Sequence, residues 1–338
     1  MKRRIGIALI FALLLPALAF TAGARESATG GAINLVVAHN QTSTDNPYQF
    51  GMVEFKNVLE RLSGGSMTVT VHAGTLGTNE SELIEQLQLG AVDLVVASPG
   101  FMTRIGVPEV NILALLYLFD DFEHWERAVD GDFGREMRDI IAQRTNNDFM
   151  IMGYWSAGVR HFYGSRPIVE PTDARGLRIR LQDSPVQQAF WSQVGAIPAQ
   201  VGWGELYQAL QQGTVDAAEN DFTNFSLQDH HRTRNGRFIS ETYHDFTTRL
   251  LLANGNRLNR FTPQQQQWIQ EAAEAATAKE REVTYRMLDE SRSRVIAEGG
   301  TVNQVNLPAF RQIALPIQDQ FARDNNMTQL LEAVRATR

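Results

Sequence analysis

Short apolar runs alternate with amphipathic segments in the first third of the chain. Residues 33–38, 67–72 and 92–97 are rich in β-branched and aliphatic side chains, which is typical of strands. Between them, residues 47–62 and 80–89 have helical periodicity, and glycine follows each segment closely. This β-α-β-α-β order predicts an α/β lobe with a largely parallel sheet. Ligands of such sheets lie beyond the carboxyl ends of the strands.

A similar arrangement follows after residue 158 and predicts a second α/β lobe. Strands are predicted at 158–163, 177–181, 197–201 and 215–218, and helices at 184–194 and 203–212. The segments Glu82–Asp93 and Glu205–Asp216 share the pattern E-L-x-x-x-L-Q-x-G-x-V-D. Helix–glycine–strand units look alike in many α/β proteins. However, Gln88 and Gln211 also match although this fold does not require glutamine there, which favours a true internal repeat. Two similar lobes imply a cleft between them.

The longest periodic stretch, residues 264–296, contains no glycine or proline. At a rise of 1.5 Å per residue it would be roughly 50 Å long, which predicts a spine helix lying across both lobes. A coiled coil is the alternative, but strict heptads are not evident. We therefore predict one lobe from residues 33–157 and about 246–285, and the other from residues 158–245 and about 286–338. The apolar run 110–119 is too short to cross a membrane and is predicted to be core.

The N-terminus has the pattern of a secretory signal peptide. Three basic residues at positions 2–4 precede the apolar run 5–20, and a small-residue cleavage motif ends at Ala24, with a second candidate at Ala19. We predict a signal peptide at 1–24 and export to a periplasm. The chain has no cysteine, so neither disulfides nor a lipoprotein anchor are expected. Removal of the signal peptide changes the net charge from −7 to −10, which makes nucleic acid an improbable partner.

Two arginines of the second predicted lobe are candidates for ligand binding. Arg160 lies in the predicted strand 158–163, and Arg180 lies in the predicted strand 177–181, where apolar and basic residues alternate. A guanidinium group is a rigid planar donor that grips a carboxylate through two parallel hydrogen bonds. We predict that Arg160 and Arg180 converge on the carboxylate of a small organic acid. The alternative is that both are solvated on exposed strand faces.

Two further side chains are predicted at the same edge of the sheet. Asn220 follows the strand 215–218 and offers an amide that both donates and accepts hydrogen bonds. Trp203 begins a helix and could form an apolar wall for a ligand, although a core tryptophan is an equally good interpretation.

Motifs of catalysis are missing from the sequence. It has no G-x-S-x-G, no H-E-x-x-H, no P-loop and no G-x-G-x-x-G after a predicted strand. The histidines are dispersed, and the adjacent His230 and His231 point in different directions. Glu219 lies near Asp216 and Asp221, but these acids are predicted to cap strand ends. We predict no catalytic residue, no metal and no cofactor. The rival hypotheses are an exported α/β enzyme acting on sugar acids, such as a lyase, and a purely structural periplasmic protein.

Three segments in the second half of the chain resemble the solute-binding proteins of TRAP (tripartite ATP-independent periplasmic) transporters. They are Gly158-Val159-Arg160-His161-Phe162-Tyr163, the pattern Pro171-x-Asp173-x-x-Gly176-Leu177-x-Ile179-Arg180, and the pattern that runs from Trp203-x-Glu205-Leu206 through Gly213 to Glu219-Asn220. The resemblance covers essentially the whole mature chain and is to the DctP-like family, which binds C4-dicarboxylates and sugar acids. It implies a two-lobed periplasmic binding protein that closes on its ligand about a hinge, with a long helix across both lobes and no catalysis.

The resemblance also implies roles for individual residues. Arg180 would pair with the ligand carboxylate, with Arg160 and Asn220 as supporting contacts and Trp203 as the aromatic wall. Polar contacts are implied at Asn40, Asn79, Ser98 and Asp183. Sialic-acid-binding members carry glutamate at the position of Ser98, which argues against sialic acid. The run Arg160-His161-Phe162-Tyr163 with Glu219-Asn220 looks more like members that bind hexuronates such as glucuronate or galacturonate, and a C4-dicarboxylate is the alternative. The implied partners are this carboxylate ligand and a membrane permease, and the protein is expected to be a monomer.

Overall fold

The computed structural model describes residues 32–338, so the predicted signal peptide lies outside the described residues. Strands and helices alternate, as the polar and apolar pattern predicts. The strands are β1 (Ile33–His39), β2 (Met67–Ala73), β3 (Leu94–Ala97), β4 (Phe149–Gly164), β5 (Arg178–Leu181), β6 (Ile197–Gln200), β7 (Ala217–Asn220), β8 (Phe238–Asn254) and β9 (Thr301–Gln304). The helices are α1 (Pro47–Leu62), α2 (Glu80–Gln88), α3 (Phe122–Asp130), α4 (Asp132–Arg144), α5 (Pro185–Gln193), α6 (Leu206–Gln212), α7 (Phe222–Leu227), α8 (Gly255–Leu258), α9 (Pro263–Ala297), α10 (Leu307–Asp324) and α11 (Thr328–Ala336).

A single sheet joins the two halves of the protein. Its strand order is β2-β1-β3-β8-β4-β7-β5-β6, and β9 pairs with β8. Strands β2, β1 and β3 are parallel in the first half, and β6, β5 and β7 are parallel in the second. The long strands β4 and β8 pair with each other in antiparallel fashion and run through both halves.

The sequence predicts a strand that begins at Gly158, but β4 is continuous from Phe149 to Gly164. Its register against β8 shifts between Ser156 and Val159, which marks a bulge. Gly158 lies within this bulge with φ of +73°, a conformation that favours glycine. The glycine that suggested a break in the strand therefore forms the bulge.

The internal repeat corresponds to two equivalent units of structure. Asp93 precedes β3, and its carboxylate accepts a hydrogen bond from the Val36 amide of β1 at 2.7 Å. Asp216 precedes β7, and its carboxylate accepts one from the Arg178 amide of β5 at 3.0 Å. Each aspartate thus ties the entrance of its own strand to the parallel neighbour. The two halves are built on the same local plan.

Helix α9 confirms the predicted long helix. It begins with a reciprocal capping box between Thr262 and Gln265. Near its start, Ile269 and Ala273 pack in a hydrophobic cluster with β1, β2 and α1 of the first half. Near its end, Val295 packs in a cluster with α6 and β7 of the second half. The helix therefore lies across both halves.

The C-terminal segment returns to the first half. Phe310 of α10 packs in a second-half cluster, whereas Leu331 and Val334 of α11 pack with Trp125 of α3 in a first-half cluster. The predicted second lobe, 158–245 with about 286–338, included this last helix. Its buried side chains lie instead against the first lobe, because α10 crosses from one half to the other.

The apolar run 110–119 is buried throughout, as predicted, and begins within a short 3₁₀ helix, Pro108–Ala114. Among the helices that the structure describes, none combines the length and the apolarity of a bilayer crossing.

Candidate functional site

A cavity of about 160 Å³ lies between the two halves. The first half contributes residues that follow β1 and the N-terminus of α2, and the second half contributes residues at the ends of β5, β6 and β7. These are the carboxyl ends of parallel strands, where the fold predicts a ligand. Of the predicted site residues, the cavity is lined by Asn40, Asn79, Arg180, Asp183, Trp203 and Asn220, but not by Arg160 or Ser98.

Arg180 is the unusual cation of this cavity. It is 6% exposed, and its Nε donates to the Val201 carbonyl at 3.0 Å. Its Nη1 is buried without a hydrogen-bond partner, and within residues 32–338 no carboxylate forms an ion pair with it. Burial lowers the pKa of Arg180, although the charge of Glu219 opposes that effect. The guanidinium thus offers an unused pair of donors where a ligand carboxylate would fit.

Arg160 occupies a different position from the one predicted. It is completely buried behind the cavity wall and forms an ion pair with Glu219, whose Oε1 accepts from Nη2 at 2.8 Å. Burial favours a higher pKa for Glu219, but the adjacent Arg160 charge outweighs it and holds the pKa at about 2. The structure therefore does not bring the two guanidinium groups together on one ligand carboxylate. Glu219, which the sequence predicts to cap a strand end, is the partner of Arg160.

Asn220 connects this ion pair to the cavity. Its Oδ1 accepts from Arg160 Nη1 at 2.8 Å and from the Asp221 amide at 3.0 Å. Since both hydrogen bonds hold the oxygen, the Asn220 Nδ2 group is left to donate into the cavity that it lines. Arg160 thereby orients the Asn220 amide and does not itself line the cavity.

Ser98 is also set back from the cavity. It is buried, and its amide donates to Glu80 Oε2 at 2.6 Å. Glu80 is the residue that lines the cavity there. Sequence reasoning missed Glu80, since it follows the predicted helix cap Asn79 and looks like an ordinary first-turn acid.

Trp203 lines the cavity and is half-buried, and it also packs against the hydrophobic cluster of α6 and β7. Its Nε1 donates to Gln41 Oε1 at 3.1 Å across the cavity. The Arg180 guanidinium lies 5.9 Å from the centre of the Trp203 ring, within the range of a cation–π contact. Asp183 also bridges the halves, through an ion pair with Arg104.

The charged side chains of the lining do not balance. It contains three arginines, Arg104, Arg180 and Arg249, and two acids, Glu80 and Asp183. Arg104 pairs with Asp183, and Arg249 pairs with Glu80 at 3.4 Å. Arg180 therefore supplies one uncompensated positive charge, in a protein whose net charge is −7. The positive charge in the cavity is thus opposite in sign to the net charge of the protein, and it suits a singly charged anion.

One group of side chains away from the cavity has the composition of a metal site. Asp229, His231 and Glu298 place potential ligand atoms within 4.8 Å of one another. Arg232 and Arg294, however, already form ion pairs with both of the carboxylates. Two cations in the same cluster oppose the binding of a third, so the absence of a metal site stays our prediction.

Comparison with known proteins identifies the family. Residues 37–324 match the family model described as bacterial extracellular solute-binding protein, family 7. This chain belongs to that family. The solute-binding protein is 29% identical over 184 residues to the C4-dicarboxylate-binding periplasmic protein DctP of Rhodobacter capsulatus, covering 54% of each chain. The family consists of solute-binding proteins, so this solute-binding protein is not an enzyme.

Two solved structures resemble the whole fold. A TRAP periplasmic solute-binding protein from Sulfitobacter sp. with bound β-D-galacturonate has a TM-score of 0.84 at 26% identity, covering 90% of this chain and 99% of that one. Another from Roseobacter denitrificans with bound β-D-glucuronate has a TM-score of 0.84 at 26% identity, covering 90% and 100%. The two-lobed architecture predicted for the solute-binding protein is confirmed.

Proposed function

We propose that this chain is the periplasmic receptor of a TRAP transporter, that it binds a hexuronate such as glucuronate or galacturonate between its two halves, and that it delivers this ligand to a membrane permease. The observation that carries the proposal is Arg180, which lines the cavity, keeps its Nη1 without a hydrogen-bond partner and forms no ion pair with a carboxylate among the described residues. The bound galacturonate and glucuronate of the two similar structures support the choice of ligand.

Each wall of the cavity binds a different part of the ligand. Arg180 receives the carboxylate, and the Nδ2 group of Asn220 donates beside it. Amide groups of Asn40 and Asn79 lie on the opposite wall and suit ring hydroxyls. The Trp203 ring covers an apolar face of the sugar. A ligand that touches both walls stabilises the closed arrangement, because the open one offers it only half of these contacts.

A binding screen with the mature chain, residues 25–338, tests the proposal. Glucuronate and galacturonate are compared with glucose and galactose, which keep the hydroxyl pattern but lack the carboxylate. We expect the uronates to raise the melting temperature and the neutral sugars to have no effect, since ligand at a hundred times its dissociation constant adds about 2.7 kcal/mol. Equal responses to the acids and the neutral sugars, or no response to any carboxylate, would refute the proposal.

A C4-dicarboxylate is the second candidate. The named relative from Rhodobacter capsulatus favours it. The same screen therefore includes succinate and malate.

A further inference from the structure

The wall that the first half contributes to the cavity is formed around one buried acid. Glu80 is the first residue of α2 and is 6% exposed, and its carboxylate accepts three hydrogen bonds. The donors are the Ser98 amide at 2.6 Å, Asn40 Nδ2 at 3.3 Å and Arg249 Nη1 at 3.4 Å. They come from the ends of β3 and β1 and from β8, so the carboxylate is held in place by three strands.

Glu80 retains capacity for a ligand. An ionised carboxylate has about four lone-pair positions, and three are used here. Because Glu80 lines the cavity, the remaining position can accept a hydrogen bond from a ligand hydroxyl. A second carboxylate at this place would bring two negative charges together without a proton to share.

Arg249 does not offer a second carboxylate a free donor pair. Its Nε donates to the Tyr48 hydroxyl at 2.8 Å, and its Nη1 points at Glu80. With the Gln182 amide turned so that its oxygen faces the guanidinium, that oxygen accepts from Nη1 at 3.2 Å and from Nη2 at 2.8 Å. All three nitrogens are thus engaged with protein atoms. The environment of Arg249 is the opposite of that of Arg180.

From this contrast we propose that Glu80, together with the engaged Arg249, is a specificity determinant that excludes dicarboxylates. The site accepts polyhydroxy acids with one carboxylate, which lies on Arg180 while a neutral hydroxyl end lies on Glu80. Discrimination by a repulsive charge is a general way to reject a competing ligand of similar shape. This inference rests on the proposed binding of a carboxylate at Arg180 and decides between the two ligand classes named for it.

A matched pair of ligands tests the inference without any substitution. Gluconate and glucarate share an open six-carbon chain with the same hydroxyls, and glucarate carries a second carboxylate in place of the terminal hydroxymethyl group. By calorimetry, we expect the wild-type protein to bind glucarate at least a hundredfold more weakly than gluconate, and to bind succinate and malate weakly as well. Comparable or tighter binding of the dicarboxylates would overturn the inference while leaving a carboxylate-binding site intact. Failure of every carboxylate to bind would overturn the proposed function, and this inference with it.

Substitution of the acid then tests the residue. Glu80→Gln removes the charge and keeps the shape, so the preference for gluconate over glucarate should fall at least tenfold. The control is Glu82→Gln, which removes the same charge from an exposed position on the same helix and should leave the ratio unchanged. If Glu80→Gln weakens both ligands by the same factor, the residue only supports the fold, and the inference is wrong. Should Glu80→Gln not fold, the wild-type comparison still decides.

Discussion

Arg180→Gln should abolish most ligand binding. The substitution removes a buried cation and its planar donor pair, so a bound carboxylate would be desolvated without a partner. Breaking a buried ion pair by removal of one member costs about 3–5 kcal/mol, which corresponds to a loss of affinity of roughly 150-fold to several thousandfold. Arg180→Lys keeps the charge but cannot donate two parallel hydrogen bonds, so its affinity should be intermediate.

The free protein should respond in the opposite direction. Within the described chain, the Arg180 guanidinium is buried without an acid, and burial lowers its pKa. Its removal relieves a desolvated charge, so the ligand-free Arg180→Gln protein should melt at a higher temperature than the wild type. Such a gain in stability on loss of a binding residue is typical of functional sites.

Isothermal titration calorimetry with glucuronate measures the affinity, and a thermal melt without ligand measures the stability. The control is Arg178→Gln, in the same strand, because Arg178 pairs with Asp216 on the exposed side and does not line the cavity. That variant should bind as the wild type does. A dissociation constant within about threefold of wild type for Arg180→Gln would refute the role that we assign to Arg180.

Three further predictions concern stability, the aromatic wall and closure. Burial raises the pKa of Glu280 from 4.5 to about 8, so between these pH values the folded protein holds a proton that the unfolded chain releases, and stability falls as pH rises. Glu280→Gln should therefore raise the melting temperature more at pH 8 than at pH 5, and calorimetric scans giving equal effects at both would contradict this. Trp203→Ala should weaken uronate binding at least tenfold in titrations. Trp203→Phe keeps an aromatic ring, so its affinity should fall only a few fold. Equal losses of affinity in the two variants would contradict the role of Trp203 as an aromatic wall. The ion pair between Arg104 and Asp183 is partly exposed, so Arg104→Gln should speed ligand dissociation in stopped flow and reduce its dependence on salt. An unchanged salt dependence would argue against a closing contact.

Sequence patterns such as helix caps and glycine stops predicted the parts of the fold that depend on residues close together in the chain. The cap at Thr262 and the proline at position 263 mark the start of the long helix. The repeated segments ending at Asp93 and Asp216 fold into equivalent units because each aspartate bonds to the adjacent parallel strand. The sequence places a strand boundary at Gly158, because a glycine resembles a strand end when its pairing with β8 is unknown.

Partners distant in sequence account for what was missed in the site. Arg160 looked free because nothing in its own strand neutralises it, yet Glu219 reaches it from β7. Arg249 lies in a largely apolar stretch of β8, and its contacts with Tyr48 and Glu80 come from two helices of the first half. Pattern reasoning found Arg180 by its alternation in a strand, but whether an arginine is neutralised depends on tertiary structure.

The continuity of β4 and β8 limits how the protein can move. Because both strands belong to a single sheet that joins the two halves, an opening rotation cannot separate the halves without twisting two shared ribbons of hydrogen-bonded backbone. The bulge between Ser156 and Val159 interrupts that pairing, and Glu280 of α9 accepts a hydrogen bond from the Ser156 amide there at 3.0 Å. Opening would therefore twist the backbone of both strands, and the resistance to that twist would come from the protein itself and not from the ligand.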